Sequence, residues 1–288
     1  MWREISIETK RMRSARCAMV CAGMSKASWF RPDLLQGRIA VVTGGGSGIG
    51  FEIAAAFLAH GAQVAIMSRN DARLEEAADT LLKRTGARPL TGACDVRDEP
   101  SVLAFSQRVT RELGTADIVV NNAAGNFMVP AERMSKKAMT TVLDIDLVGT
   151  YTVTRAFVPG MIEIGRGVVL SIVIPEPERG FPGFSHAGAA KAGIVSLTRS
   201  WAREWGRYGI RTAAIGPGPV PTEGVARHMF GVSVEEAFRG AAERVPLGRL
   251  GSPEDIANAA LFLSSDAAAW ISGALLAVDG GASAASER

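Results

Sequence analysis

The chain has 288 residues, 47% of them hydrophobic and 21% charged, and a net charge of +3. That balance describes an ordinary globular protein with ample core, and so small a charge argues against nucleic acid or an anionic membrane as partner. No apolar run approaches the roughly 18 residues of a membrane-spanning helix. Cys17, Cys21 and Cys94 lack metal-ligand spacing, so they read as free thiols in a reducing, cytoplasmic setting, and no metal is expected.

Residues 1–36 stand apart. Arg3, Lys10, Arg11, Arg13 and Arg16 precede a short apolar patch, Ala18 to Met24, that superficially resembles a targeting peptide. Glu4 and Glu8 argue against that reading. The stretch is expected to be a disordered extension, or an over-called start with Met24 as the true first residue. The C-terminal sequence, Ala-Ser-Glu-Arg, is not a peroxisomal address. Residues 37–288 read as one domain, since no linker-like stretch divides them.

From Arg38 onward strand and helix alternate. An apolar strand, Arg38 to Val42, runs into Thr43-Gly-Gly-Gly-Ser-Gly-Ile-Gly50 and then into Ile53, Ala54, Phe57 and Leu58 at helical spacing. Strands follow at Gln63–Met67, Pro89–Ala93, Asp117–Val120, Gly167–Val173, Arg211–Ile215 and Ala274–Val278. Helices are expected at Asp71–Arg84, Glu99–Leu113, Ser135–Ile164, Ala187–Tyr208 and Pro253–Leu263. This order predicts a doubly wound parallel sheet of the α/β class with helices on both faces, a three-layer arrangement. Its strands show little polar alternation, as suits strands covered on both sides.

Ligands of such sheets bind beyond the carboxyl ends of the strands. In the first turn, Gly44, Gly46 and Gly48 permit close backbone approach, Gly50 permits tight helix packing, and Ser47 and Ile49 complete a loop that opens on a helix N-terminus. A dinucleotide pyrophosphate fits there. After the second strand stand Ser68 and Arg69, where an NAD site usually carries an acid. Arg69 would pair with a 2'-phosphate, which favours NADPH, although an ordinary surface arginine is the alternative. Asp95 and Val96 follow the third strand, at the expected adenine position. Asn121-Asn122-Ala123-Ala124-Gly125 follow the fourth, small residues that admit a cofactor.

Taken with Lys191, Pro217-Gly218 and Asp279-Gly280-Gly281, these motifs resemble the short-chain dehydrogenase/reductase family over residues 37–281. The resemblance implies a single Rossmann-like domain, commonly tetrameric through its long helices. By the same resemblance Lys191 holds the nicotinamide ribose and Thr222 hydrogen-bonds the nicotinamide end of the cofactor.

Most of that family uses a Tyr four residues before the Lys, but here Ala187 stands in that place. The expected Ser falls near Val173 and Ile174, and the expected Asn is replaced by Asp146. An alanine methyl cannot deliver a proton, so ordinary ketone chemistry lacks its donor. The wording of Asn121–Phe127, Asp144-Ile-Asp146, His186–Lys191, Gly216–Pro219 and Thr222-Glu-Gly224 is similar to the 2,4-dienoyl-CoA reductase branch, especially its peroxisomal type, which also lacks the Tyr. The segment Ile174–Gly188, with Arg179-Gly-Phe-Pro182, is similar to trans-2-enoyl-CoA reductases and citronellol dehydrogenase-like proteins.

The resemblance implies reduction of an acyl-CoA, with negative charge gathering on the thioester oxygen and a proton passing to carbon. Asn126 is then the candidate donor to that oxygen, and Asp146 the candidate for proton delivery; for Asp146 the alternatives are an ion pair with Lys191 or a cap on a helix bend. Glu176 matches the active-site Tyr of the mitochondrial reductases, yet a carboxylate there repels an enolate unless it is protonated or turned away, and a surface loop is the alternative. His186 reads as a packed or solvent-bonded histidine. A silent cofactor-binding scaffold is the rival from another class. Residues 219–250, with their apolar side chains and arginines, are expected to form a helical lid over the acyl chain.

Overall fold

The structure, a computed structural model, describes residues 29–226 and 231–284. Arg227 and His228 of the expected lid lie outside the described residues, as do Cys17, Cys21 and the basic N-terminal segment. The main compact unit begins at Asp33. Leu35 is the reason: its side chain is fully buried, and its N–H donates to the His60 carbonyl at 2.8 Å.

Seven strands form the sheet: β1 (Ile39–Thr43), β2 (Gln63–Ser68), β3 (Leu90–Ala93), β4 (Ile118–Asn121), β5 (Gly167–Ile172), β6 (Ile210–Pro217) and β7 (Ala274–Val278). All neighbours pair in parallel, in the order β3-β2-β1-β4-β5-β6-β7. The order reverses between β1 and β4, which opens a crevice at their carboxyl ends. Among the described residues seven helices of eight residues or more flank the sheet: α1 (Gly48–Ala59), α2 (Asp71–Thr85), α3 (Glu99–Glu112), α4 (Lys136–Leu143), α5 (Gly149–Ile164), α6 (Ser185–Trp205) and α7 (Pro253–Ser264).

Local chemistry sets these boundaries. Asn70, Asp98, Ser135 and Ser252 cap α2, α3, α4 and α7 by accepting a first-turn N–H, and Ser252 and Asp255 complete a capping box. Gly86 and Gly165 end α2 and α5 in the left-handed conformation. On one face of the sheet Val41, Met67 and Val119 pack with Val102, Phe105 and Val109 of α3 and with Val153, Phe157 and Met161 of α5. At the sheet's amino edge buried Asp117 takes Arg38 Nε at 2.5 Å and the Ile39 N–H at 2.9 Å, while Arg166 lies at 3.1 Å.

Two expected helices differ from their sequence outline. The helical run Ser135–Ile164 is continuous from Lys136 to Ile164 but contains a widened turn, a π-helix over Asp144–Val148, between α4 and α5. The segment 219–250 is not a continuous lid helix. Among the described residues it has helical backbone at 223–226, a helical turn at Val234–Ala237 and a 3₁₀ turn at Ala242–Arg244. Glycines and Pro246 punctuate this stretch and break helical propagation. Its ends are tied down, Gly251 N–H to the Pro219 carbonyl and Leu247 N–H to the Gly280 carbonyl.

Candidate active site

The glycine turn is built by close approach to its neighbours. Gly44 and Gly48 have positive φ, 66° and 57°, a conformation open to glycine at little cost. A Cβ on Gly50 would lie 2.5 Å from both Asn122 Nδ2 and the Gly44 carbonyl, so Gly50 makes room for a loop staple rather than for helix-on-strand packing. That staple runs from β4. Asn122 and Ala123 donate their backbone N–H groups to Thr43 Oγ1, each at 2.9 Å, and Asn122 Nδ2 donates to the Thr43 carbonyl at 2.9 Å. Thr43 and Asn122 therefore shape the cradle from behind. Gly46 lies beside Arg73, and a Cβ on Gly48 would meet the Thr222 methyl at 3.4 Å.

Ser47 stands in the N-cap position of α1, yet its hydroxyl makes no capping hydrogen bond and no acid lies in the first turn. The first-turn N–H groups, Ile49 among them, have no intrahelical partner, which suits an anion. The sequence motif does not reveal the role of Gly45: a Cβ there would meet Ile66 of β2 at 2.6 Å, so this glycine seats the loop on the sheet.

Along the β2 and β3 ends, Ser68 is half-buried and Arg69 exposed. The Asp95 carboxylate is already engaged by Arg97, whose Nη2 donates at 2.6 Å. Arg97, with a further contribution from Arg69, holds the Asp95 carboxyl below its ordinary range. Arg97 is a residue that sequence reasoning missed. Val96 packs against Gly149 at the start of α5, where a glycine Cβ would clash with it at 2.6 Å. Ala124 is exposed beside Gly125. On the far side, Pro217 ends β6 and Gly218 abuts Asp279, whose Cα a glycine Cβ would meet at 2.6 Å. Thr222 Oγ1 accepts the Val225 N–H at 3.2 Å.

The chemical end of the cleft is built around the widened turn. A π-turn inserts a residue into the helical ladder and re-aims side chains; here it turns Asp146 fully into the interior. Asp146 Oδ1 accepts the Gly125 N–H at 2.9 Å, and Oδ2 lies 3.2 Å from Lys191 Nζ. Lys191, buried on α6, also donates to the Ile172 carbonyl at the end of β5, at 3.0 Å. Asp146 thus both pairs with Lys191 and sits in a helix bend, and the loop 121–125 is fastened to that carboxylate. Ala187 packs with Val142 and Phe184, flanked by Phe127 and Phe181, so apolar groups fill the surroundings of the absent tyrosine.

Asn126 follows Gly125 directly, and its Oδ1 is buried without a hydrogen-bond partner. His186 is fully buried rather than solvent-bonded; burial holds its imidazole below its usual pKa, against the opposing pull of Asp146. Glu176 is not gathered into this cluster. It starts a 3₁₀ turn, Pro177–Arg179, and its Oε2 accepts from Arg179 Nη1 at 2.8 Å in an exposed pair.

A crevice at the switch point of a parallel sheet, a glycine cradle before an uncapped helix, and a buried lysine–carboxylate pair define a nucleotide-binding α/β oxidoreductase. The family model described as enoyl-(acyl carrier protein) reductase matches residues 44–283, and the chain belongs to that family, within the short-chain dehydrogenases/reductases. A peroxisomal 2,4-dienoyl-CoA reductase, (3E)-enoyl-CoA-producing, from Rattus norvegicus is 42% identical over 253 residues, covering 88% of this chain and 86% of that protein. A citronellol catabolism dehydrogenase from Pseudomonas aeruginosa PAO1 superposes with a TM-score of 0.77 at 36% identity, over 89% of this chain and 99% of that one. A protein described as an NAD(P)-dependent gluconate 5-dehydrogenase from Beutenbergia cavernae, solved with NADP bound at low occupancy, gives 0.80 at 33% identity, over 88% and 100%. The chain is thus a nicotinamide-dependent oxidoreductase. Among the described residues no helix is long and apolar enough to cross a membrane.

Proposed function

We propose that this protein is an NADPH-dependent reductase of conjugated acyl-CoA thioesters, acting on a 2,4-dienoyl-CoA. The observation that carries the proposal is the buried Asp146–Lys191 pair beside Ala187: a proton-bearing group is present in the cleft, but no hydroxyl stands where an alcohol or ketone would need it. The rat relative, named as a dienoyl-CoA reductase, supports the same reading.

The glycine cradle and the α1 N-terminus would hold the pyrophosphate of NADPH, Arg69 its 2'-phosphate, and Lys191 its nicotinamide ribose. Thr222 would face the nicotinamide end and Asp95 and Val96 the adenine. Bound there, NADPH supplies a hydride. The residues of the chain perform the rest. Asn126 donates a hydrogen bond to the thioester carbonyl and stabilises the charge that gathers on it. Asp146 passes a proton by way of water to the acyl carbon, and the Lys191 ammonium raises the positive potential around both. Apolar Phe127, Phe181 and Phe184 suit an acyl chain. Glu176, tied to Arg179, would stay outside this chemistry.

Loss of NADPH absorbance with 2,4-hexadienoyl-CoA is the expected result; inactivity toward every enoyl and dienoyl thioester would sink the proposal. Turnover of citronellol in place of thioesters would move the assignment to the carbonyl-acting relatives. The assembly is proposed to be a homotetramer, since Val148 and Tyr151 expose apolar surface beside Gly193 and Leu197 of α6; light scattering on the purified protein tests it. The compartment is proposed to be the cytoplasm, with buried, unbridged Cys94 in support, and cell fractionation decides between that and the peroxisome named for the rat relative.

A further inference from the structure

A glycine inside a helix costs stability relative to alanine, so one that stands there needs a reason. Gly149 joins the widened turn to α5, and its backbone supplies none: φ is −60° and ψ −41°, values that alanine adopts freely. The reason lies outside the helix. A Cβ on Gly149 would lie 2.6 Å from Val96 Cγ2 and 3.0 Å from Val96 Cβ, in the loop after β3. It would also stand 3.4 Å from the Asp144 carbonyl, and that carbonyl accepts the Gly149 N–H, the bond that closes the wide ring of the turn.

Two more glycines meet the same turn from other sides. A Cβ on Gly125, in the loop after β4, would strike Ile145 Cδ1 at 2.5 Å, and one on Gly193 of α6 would lie 3.0 and 3.1 Å from the two Leu147 methyls. Between Ile145 and Leu147 stands Asp146, fully buried, with Oδ1 on the Gly125 N–H and Oδ2 beside Lys191. The three contacts hold with different firmness. The tips of Ile145 and Leu147 can yield by rotation, whereas Val96 is buried, β-branched and engaged as far in as its Cβ. Asp95 foremost, and Asp144 of the turn to a smaller degree, hold the Arg97 guanidinium above its ordinary pKa, so the loop after β3 meets the turn by charge as well as by packing.

We propose that Val96 is a positioning residue that acts through Gly149: it props the end of the widened turn and so sets where Asp146 points. The kinetic consequence rests on the proposed thioester reduction, in which Asp146 delivers a proton; the prop itself does not.

The test exchanges bulk across the contact. Helix propensity alone makes Gly149→Ala neutral or stabilising. The prop instead predicts that kcat with 2,4-hexadienoyl-CoA at saturating NADPH drops roughly tenfold to a hundredfold, as mispositioned groups do. Gly149→Ala with Val96→Ala, which takes away the carbons nearest the new methyl, is expected to return to within about threefold of wild type. Hydrogen exchange at the Gly125 amide, followed by NMR, needs no turnover, because its bond to Asp146 Oδ1 reports the aim of the carboxylate. Exchange there should be about tenfold faster in Gly149→Ala and near wild type in the double variant, while amides of β1 stay protected in all three proteins. Unchanged Gly125 exchange in Gly149→Ala overturns the proposal whether or not any thioester is turned over, and so does a double variant no better than the single one. Wild-type inactivity toward thioesters sinks the reduction reading and leaves the exchange result to decide this one. If Gly149→Ala fails to fold, Val96→Ala alone removes the prop without overpacking: Gly125 exchange should then quicken by about threefold or more, and a wild-type rate refutes the prop.

Discussion

Asp146→Asn separates the two jobs assigned to the central carboxylate. The amide oxygen keeps the 2.9 Å bond from Gly125 N–H, so the loop stays fastened, but the negative charge 3.2 Å from Lys191 Nζ is gone. Both side chains are buried, at 0% and 8% exposure. Stranding one member of a buried pair costs about 3–5 kcal/mol, and the remaining hydrogen bond from Lys191 to the Ile172 carbonyl places this site near the lower end. A chain of this size loses about 2–4 °C in Tm per kcal/mol, so Tm should drop by about 6–12 °C. Adding Lys191→Met removes the stranded ammonium and should return more than half of that loss, a coupling that a double-mutant cycle measures directly. Activity should not return with it: kcat on 2,4-hexadienoyl-CoA is expected to stay at least about a hundredfold down in both proteins. Thermal unfolding and NADPH oxidation on the same samples give both readings. A Tm within about 2 °C of wild type for Asp146→Asn would refute the energetic argument, and undiminished kcat would refute the proton-delivery role.

Three other perturbations reach different parts of the cleft. Gly50→Ala drives a Cβ to 2.5 Å from the Asn122 amide and the Gly44 backbone; overpacking of about 1–3 kcal/mol should displace the cradle and weaken NADPH binding by at least about tenfold, measured by fluorescence titration. Arg69→Ala should lower kcat/KM for NADPH by roughly tenfold to a hundredfold, the worth of one charge-assisted hydrogen bond, with little change for NADH; equal effects on both cofactors would place the 2'-phosphate elsewhere. Because burial depresses the His186 pKa, the unfolded chain takes up its proton first as pH falls below about 6.5, so this residue costs stability on the acid side and none above it. Tm should therefore decline between pH 7 and pH 5.5, and His186→Gln should flatten that decline; parallel profiles for the two proteins would show that another group is responsible.

The sheet was legible because each strand is a short apolar run bounded by a turn, and the alternation with amphipathic helices leaves few other topologies. The parallel pairing of the strands and the place of the glycine cradle follow from the same pattern, whereas the strand order is read from the structure. What the chain does not announce are contacts between distant residues. Nothing around Asp95 says that Arg97 will fold back onto it, because that depends on the turn after β3. Gly45 looks interchangeable with its neighbours until Ile66 is seen beneath it. The widened turn at Asp144–Val148 is hidden because its sequence has ordinary helical composition, and the hydrogen-bond ladder alone reveals it. Glu176 left two readings open, a place in the cleft or a surface loop, and its pairing with the arginine three residues on agrees with the loop.

That widened turn makes the aim of Asp146 a matter of counting. Deleting one residue from the five would restore the ordinary helical pitch with α4 and α5 left nearly in their present orientation, and would re-aim Asp146. A relative that kept every residue type here but differed by one in length would be expected to have lost the reaction.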